Sequence, residues 1–193
     1  MMTKENTAVV DGAIGDQLDG QVLYENQKRI RSSQEYLFAP AVIATGLQMA
    51  ENMGSVLRLA DAAGCKHVTF LSDVESPYLK KVKKTARSSE SFLVWDVKSY
   101  AEFLANDVQN FRPLIAIELT SKSTSLFESS LPQSCAFVVG SERYGIPQPI
   151  LQECSHAIYI PMYGVNGSMN VTHALAIVLF EWRRQHLHRL TLD

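Results

Sequence analysis

Residues 135–147 read CAFVVGSERYGIP. Five apolar residues end at Gly140; a polar turn, a second glycine at 145 and a proline at 147 follow. A short apolar run closed by such breakers has the signature of a buried strand. Strands buried on both faces belong to parallel sheets. Working outward, comparable runs stand at 41–44, 67–71, 92–97, 114–117 and 157–160, and stretches of helical spacing separate most of them. Strands alternating with helices predict an α/β fold: a mostly parallel sheet with helices on both faces.

The clearest helix is predicted over 170–188. Val171, Ala174, Leu175, Val178, Leu179 and Trp182 repeat there at the spacing of one buried face. His173 within it reads as a core or interface histidine. At the other end, residues 1–39 form an N-terminal extension, a polar leader to Gly20 followed by a short amphipathic helix over 21–38. Residues 40–193 then make one domain, in keeping with a chain of 193 residues.

Hydrophobic residues at 46% and charged residues at 20% exclude a disordered or fibrous chain. Eighteen Lys and Arg against twenty Asp and Glu give a net charge of −2, so no bulk positive charge advertises nucleic acid. Charge is nevertheless clustered. Lys80, Lys81, Lys83, Lys84 and Arg87 share one helical stretch without an acid, and Arg183, Arg184, His186, His188 and Arg189 end the chain. Such a basic side could hold a phosphate backbone, although charge runs also serve as solvated faces. Cys65, Cys135 and Cys154 are odd in number and form no CxxC, which suits reduced core thiols. Cys154 and His156 are near neighbours in sequence, and a buried thiol is the plainer reading. No metal site is expected. The first twenty residues hold four acids and no apolar run, and no stretch reaches about 18 apolar residues. The chain therefore reads as soluble and cytoplasmic.

Three loops are richer than structure requires. In residues 51–61, Asn52 suits an N-cap, Gly54 follows, and Arg58 lies about 1.7 turns further on. Alone, Arg58 also fits a solvated helix arginine. In the opening stretch, Glu142 sits between two glycines beyond a strand end, where α/β sheets bind ligands; a surface turn residue is the other reading. Residues 160–170 approach the last helix through Gly164, Asn166, Gly167, Ser168 and Asn170. Their donors and the free amides of the helix suit a carboxylate or hydroxyl. GxGxxG, Walker A and GxSxG patterns are all absent.

Together the three loops resemble the SpoU/TrmH branch of the SPOUT RNA methyltransferases. The resemblance rests on Asn52, Gly54 and Arg58, then Gly140, Glu142 and Gly145, then Ile160, Pro161, Met162 and Gly164 with Ser168, Asn170 and Val171. It covers about residues 41–184. Ser141 replaces the family's usual Asn, Met169 a Leu and Thr172 a Ser; none of these removes a group that the chemistry needs.

The resemblance implies a C-terminal trefoil knot that forms an S-adenosylmethionine pocket, and a homodimer whose active sites are completed by the partner's first motif. It implies that Gly140, Ile160 and Met169, with Met162 and Thr120, bind the cofactor. Arg58, Asn52, Glu142, Ser168 and Asn170 correspond to the catalytic group. The implied reaction is methyl transfer to a ribose 2′-hydroxyl of tRNA or rRNA, and the short extension favours tRNA. Because an arginine is a reluctant base, Arg58 suits gripping the target phosphate, with Ser168 and Asn170 orienting the hydroxyl and Glu142 holding Asn52 or Arg58 in place. A non-catalytic RNA-binding relative is the alternative. An unrelated nucleotide-binding α/β enzyme is disfavoured by the missing phosphate loops.

Overall fold

A computed structural model describes residues 19–33, 39–74 and 79–186. Met1–Leu37 and Phe38–Asp193 form two compact units. In the first, α1 (Gly20–Ser33) starts where the Asp19 carboxylate accepts the Gln21 N–H at 2.8 Å, an acidic N-cap. The expected leader and the end of the helix predicted over 21–38 lie outside the described residues.

The second unit runs β1 (Ala41–Thr45), α2 (Ala50–Ala62), β2 (His67–Leu71), α3 (Leu79–Ala86), β3 (Val94–Lys98) and α4 (Tyr100–Glu102). One π turn (Phe103–Asp107) and a 3-10 turn (Val108–Phe111) continue α4. Then come β4 (Leu114–Ile117), β5 (Thr124–Ser125), β6 (Ala136–Val139), α5 (Gln148–Leu151), β7 (Cys154–Tyr159) and α6 (Val171–His186). The strands form one sheet in the order β3-β2-β1-β6-β4-β7-β5, and every pair is parallel.

Period-two alternation divides the central strands between two apolar layers. Val42, Ala44, Val68, Phe70, Phe137 and Val139 point into one layer, closed by α2, α3 and α6. Ile43, Leu71, Leu114, Ala116, Ala136 and Val138 point into the other, closed by Phe103, Val108 and Ile150. Helical segments thus cover both faces, as the uninterrupted apolar runs demand. Trp182 anchors the last helix: fully buried, it donates its indole N–H to Pro132 O at 2.8 Å.

Differences from the expected elements are local. The strand expected at 92–97 starts at Val94, because a 3-10 turn over Ser89–Ser91 runs up to Phe92. The strand expected at 157–160 begins at Cys154, so Cys154 and His156 are strand residues. Only two residues long, β5 is too short to leave a periodic signal. Of the helix expected over 170–188, Val171–His186 is helical, and residues 187–188 lie outside the described residues. His173 is exposed rather than part of the core, on an outward stripe with Ile177 and Phe180, which are 36% and 51% exposed. It sits two residues from Leu175, on the opposite side of the helix.

Candidate active site at the carboxyl edge of the sheet

Parallel strands all end at one edge, so the loops after β1, β6, β4 and β7 emerge side by side. Two hydrogen bonds seat the first of these strand ends. The buried Thr45 hydroxyl donates to Val139 O at 3.1 Å, and Gly46 N–H donates to Leu71 O at 2.8 Å.

Asn52 is not an N-cap. The helix begins one turn earlier with Met49 as its cap, and the Asn52 and Met53 amides both donate to Met49 O. This leaves the Asn52 side chain, 8% exposed, free for a long-range partner. Its Nδ2 donates to the Glu142 carboxylate, ninety residues away in sequence. The first and second motifs therefore meet within one chain.

The turn that carries Glu142 is rigidly built. Ser141 and Gly145 exchange backbone bonds of 3.2 and 2.9 Å, and the Ser141 hydroxyl accepts the Tyr144 N–H at 3.1 Å. Gly145 adopts φ +64°, which glycine takes without penalty. At Gly140 the chain's own turn already demands glycine: a Cβ there would stand 2.5 Å from Gly145 O.

Arg58 does not join this cluster. It lies six residues past Asn52, about 120° around the helix, on the exposed side of α2 with Glu51. No hydrogen bond or ion pair connects it to Glu142, Ser168 or Asn170.

The third loop, 160–170, is mostly exposed, with Met162 at 40% and nothing near the Cβ positions of Gly164 and Gly167. Asn170 caps α6: its Oδ1 accepts the Thr172 N–H at 2.8 Å and the Thr172 hydroxyl at 2.6 Å. Capping fixes the amide and leaves Nδ2 as an outward donor. Ser168 is exposed, with its N–H directed at Asn166 Oδ1 (3.4 Å). Ile160 and Met169 are half-buried. Thr120 sits in a self-bonded turn, accepting the Ser123 N–H at 3.3 Å on its carbonyl.

The basic residues divide. Lys80, Lys83, Lys84 and Arg87 are exposed at α3 or just beyond it, but Lys81 is held by Glu51 of α2 at 2.6 Å. Lys81 in turn draws the Glu51 carboxyl below its ordinary range. The C-terminal run is largely committed elsewhere: Arg183 donates to Ala63 O and stacks on Trp182, and Arg184 pairs with Glu181 at 2.7 Å. His188 and Arg189 lie outside the described residues. Burial pushes the Cys135 and Cys154 thiols up to about 12. Cys154 is half-buried and donates to Ile150 O, while His156 bonds Ser155, so no Cys–His pair forms. Among the described residues, no group of three or more His, Cys, Asp or Glu could hold a metal, and no helix is long and apolar enough to cross a membrane.

One residue in contact with this cluster was not among the expected site residues. Glu118, at the end of β4, contacts the Glu142 turn through Ile146 and Gly145. A lone acid after an apolar run carries no sequence signal that would single it out.

Comparison with known proteins places the chain in a family. The SpoU rRNA methylase family model matches residues 39–180. The 23S rRNA (guanosine-2′-O-)-methyltransferase RlmB of Neisseria meningitidis serogroup B is 30% identical over 84% of this chain, which spans 66% of that relative's length. A crystal structure of an RNA 2′-O ribose methyltransferase is 31% identical with a TM-score of 0.66, over 79% of this chain and 59% of that one. The TrmH/SpoU tRNA modifying enzyme of A. aeolicus is 25% identical with a TM-score of 0.68, over 85% of this chain and 84% of that one. With its three motifs gathered on a seven-stranded parallel sheet and the family model covering the whole sheet, this chain belongs to the SpoU rRNA methylase family.

Proposed function

We propose that this protein is an S-adenosylmethionine-dependent RNA methyltransferase acting on a ribose 2′-hydroxyl of tRNA or rRNA. The observation that carries the reading is the Asn52–Glu142 contact at the carboxyl edge, which joins two motifs of a family whose named members include RNA 2′-O-methyltransferases. The residues at this edge fit the cofactor's chemistry. The open Gly164 and Gly167, backbone groups at strand ends and the apolar Ile160, Met162 and Met169 suit an adenine and an aliphatic methionine chain. Thr120, Gly140, Ile160, Met162 and Met169 would hold it. S-adenosylmethionine supplies an electrophilic sulfonium methyl when bound.

The chain's own residues orient the nucleophile and manage its charge. The capped Asn170 offers Nδ2, and Ser168 its hydroxyl, to the ribose oxygen. Glu142 holds Asn52 rather than Arg58. Arg58 grips the target phosphate, and its positive charge lowers the cost of the developing alkoxide. A homodimer supplies the missing proximity: Arg58, solvent-facing in its own chain, serves the partner's site. The exposed stripe of His173, Ile177 and Phe180 on α6 supports such an interface. The knot belongs to the same reading, with residues 40–193 as the catalytic domain. Lys80, Lys83, Lys84 and Arg87 would meet phosphates, while the paired Lys81 contributes less. This work belongs in the cytoplasm.

The test has two stages. Calorimetry with S-adenosylhomocysteine in chelator should show binding, and labelled methyl should appear at a ribose in total RNA from a deletion strain. Mixing Arg58→Ala chains with Asn170→Ala chains should then restore activity in heterodimers. Folded protein that binds no cofactor refutes the reading, and verified heterodimers without activity return Arg58 to its own subunit's site.

A further inference from the structure

The Glu118 carboxylate ties together two loops that are far apart in sequence. Its backbone N–H donates to Ile158 O of β7 at 3.0 Å, which holds the residue in the sheet. The half-buried side chain reaches toward the loop after β6. Oε2 accepts the Ile146 N–H at 3.2 Å, and Oε1 accepts the Leu119 N–H at 3.0 Å. Gly145 lies flat against the carboxylate; a Cβ there would stand 2.7 Å from Oε2. Both acceptors serve backbone amides rather than a cation, so the carboxylate acts as a fixed bolt. One of the bolted loops carries Thr120 and the other carries Gly140 and Glu142. Behind the bolt, the Ile146 side chain is 7% exposed in the second apolar layer, so the far end of the turn cannot drift.

We propose that Glu118 is a positioning residue for methyl transfer, which holds the Ser141–Gly145 turn so that Glu142 meets Asn52. The proposal rests on the methyltransferase reading above. The path is short and continuous. Glu118 fixes Ile146 and Gly145, the two Ser141–Gly145 backbone bonds close the turn, and Glu142 projects from it to the Asn52 amide. The same carboxylate bonds Leu119, next to Thr120, so both the cofactor loop and the catalytic turn take their placement from one side chain.

The experiment compares kcat, KM for RNA and KM for S-adenosylmethionine in wild type, Glu118→Ala, Asn52→Ala and the double variant. Glu118→Ala should lower kcat on the order of tenfold or more, because two amides lose a charged acceptor, and raise KM for S-adenosylmethionine. KM for RNA should hold. Once Asn52 is gone, Glu142 has no partner to be aligned with, so adding Glu118→Ala should cost kcat little further. A general loss of folding would instead multiply the two factors. Glu118→Gln keeps the volume and one acceptor, should fall between wild type and alanine, and decides the matter if Glu118→Ala does not fold. Equal factors in both backgrounds, or wild-type kcat in Glu118→Gln and Glu118→Ala, overturn this proposal alone. Wild-type protein that neither binds S-adenosylhomocysteine nor methylates RNA overturns the methyltransferase reading, and this proposal with it.

Discussion

Gly54 of the first motif packs α2 onto the basic helix α3, and Gly54→Ala tests how tight that crossing is. An added Cβ would stand 2.8 Å from Thr85 Cγ2 and 2.9 Å from Val82 O, and closer still to Thr85 Cβ. Rotation of Thr85 offers no escape, since its hydroxyl donates to Lys81 O at 3.1 Å and its Cβ is fixed to the backbone. The helix itself must retreat by more than about 0.5 Å, a gap that forfeits about a quarter of each contact's attraction around it. Val82 and Ala86 of α3 are both 0% exposed, so its packed face has no slack. Overpacking of this kind costs roughly 1–3 kcal/mol, and contact with backbone puts the cost near the top of that range. Gly→Ala inside a helix returns about 1 kcal/mol. Packing wins, with a net loss of about 2 kcal/mol. For a domain of this size that lowers Tm by about 4–8 °C, readable by calorimetry or circular dichroism. RNA affinity should stay within about twofold, because a small shift barely alters the field of exposed lysines. An unchanged or raised Tm would refute the tight crossing.

Replacing Lys80, Lys83 and Lys84 with Ala together should weaken RNA binding similarly across sequences and flatten the log–log salt slope by about 2 units or more. Adding Lys81→Ala should change little, since Glu51 already holds that ammonium at 2.6 Å; unchanged affinity and slope in the triple variant would leave α3 as surface. Hydrogen bonds from Arg184 draw the Glu181 carboxyl down to about 2 from an ordinary 4.5. A depressed folded-state value means its stabilisation is full above about pH 4.5 and is lost as pH falls toward 2. The Tm gap between wild type and Glu181→Gln should therefore be largest near neutrality and close only below about pH 2, and a gap independent of pH would show that the ionised pair contributes nothing.

The linear sequence determined whatever depends on local patterning. Apolar runs with glycine or proline at their ends declared buried strands, and the repeat from Val171 to Trp182 declared α6, because burial imposes a period of two or about 3.6 on neighbouring residues. It also displayed the three motif loops, and the parallel sheet then had to bring strand-end loops to one edge. Tertiary structure alone decided the pairings. That Glu142 holds Asn52 and not Arg58 depends on where α2 begins, one turn earlier than Asn52 suggested, and on β6 lying beside β1. That Lys81 is spent on Glu51 depends on how α2 crosses α3. That Glu118 bolts the Glu142 turn to β4 is a contact between residues 28 apart in sequence. Local propensity carries no information about such contacts, since they are fixed by which strands pair and how closely backbones can approach.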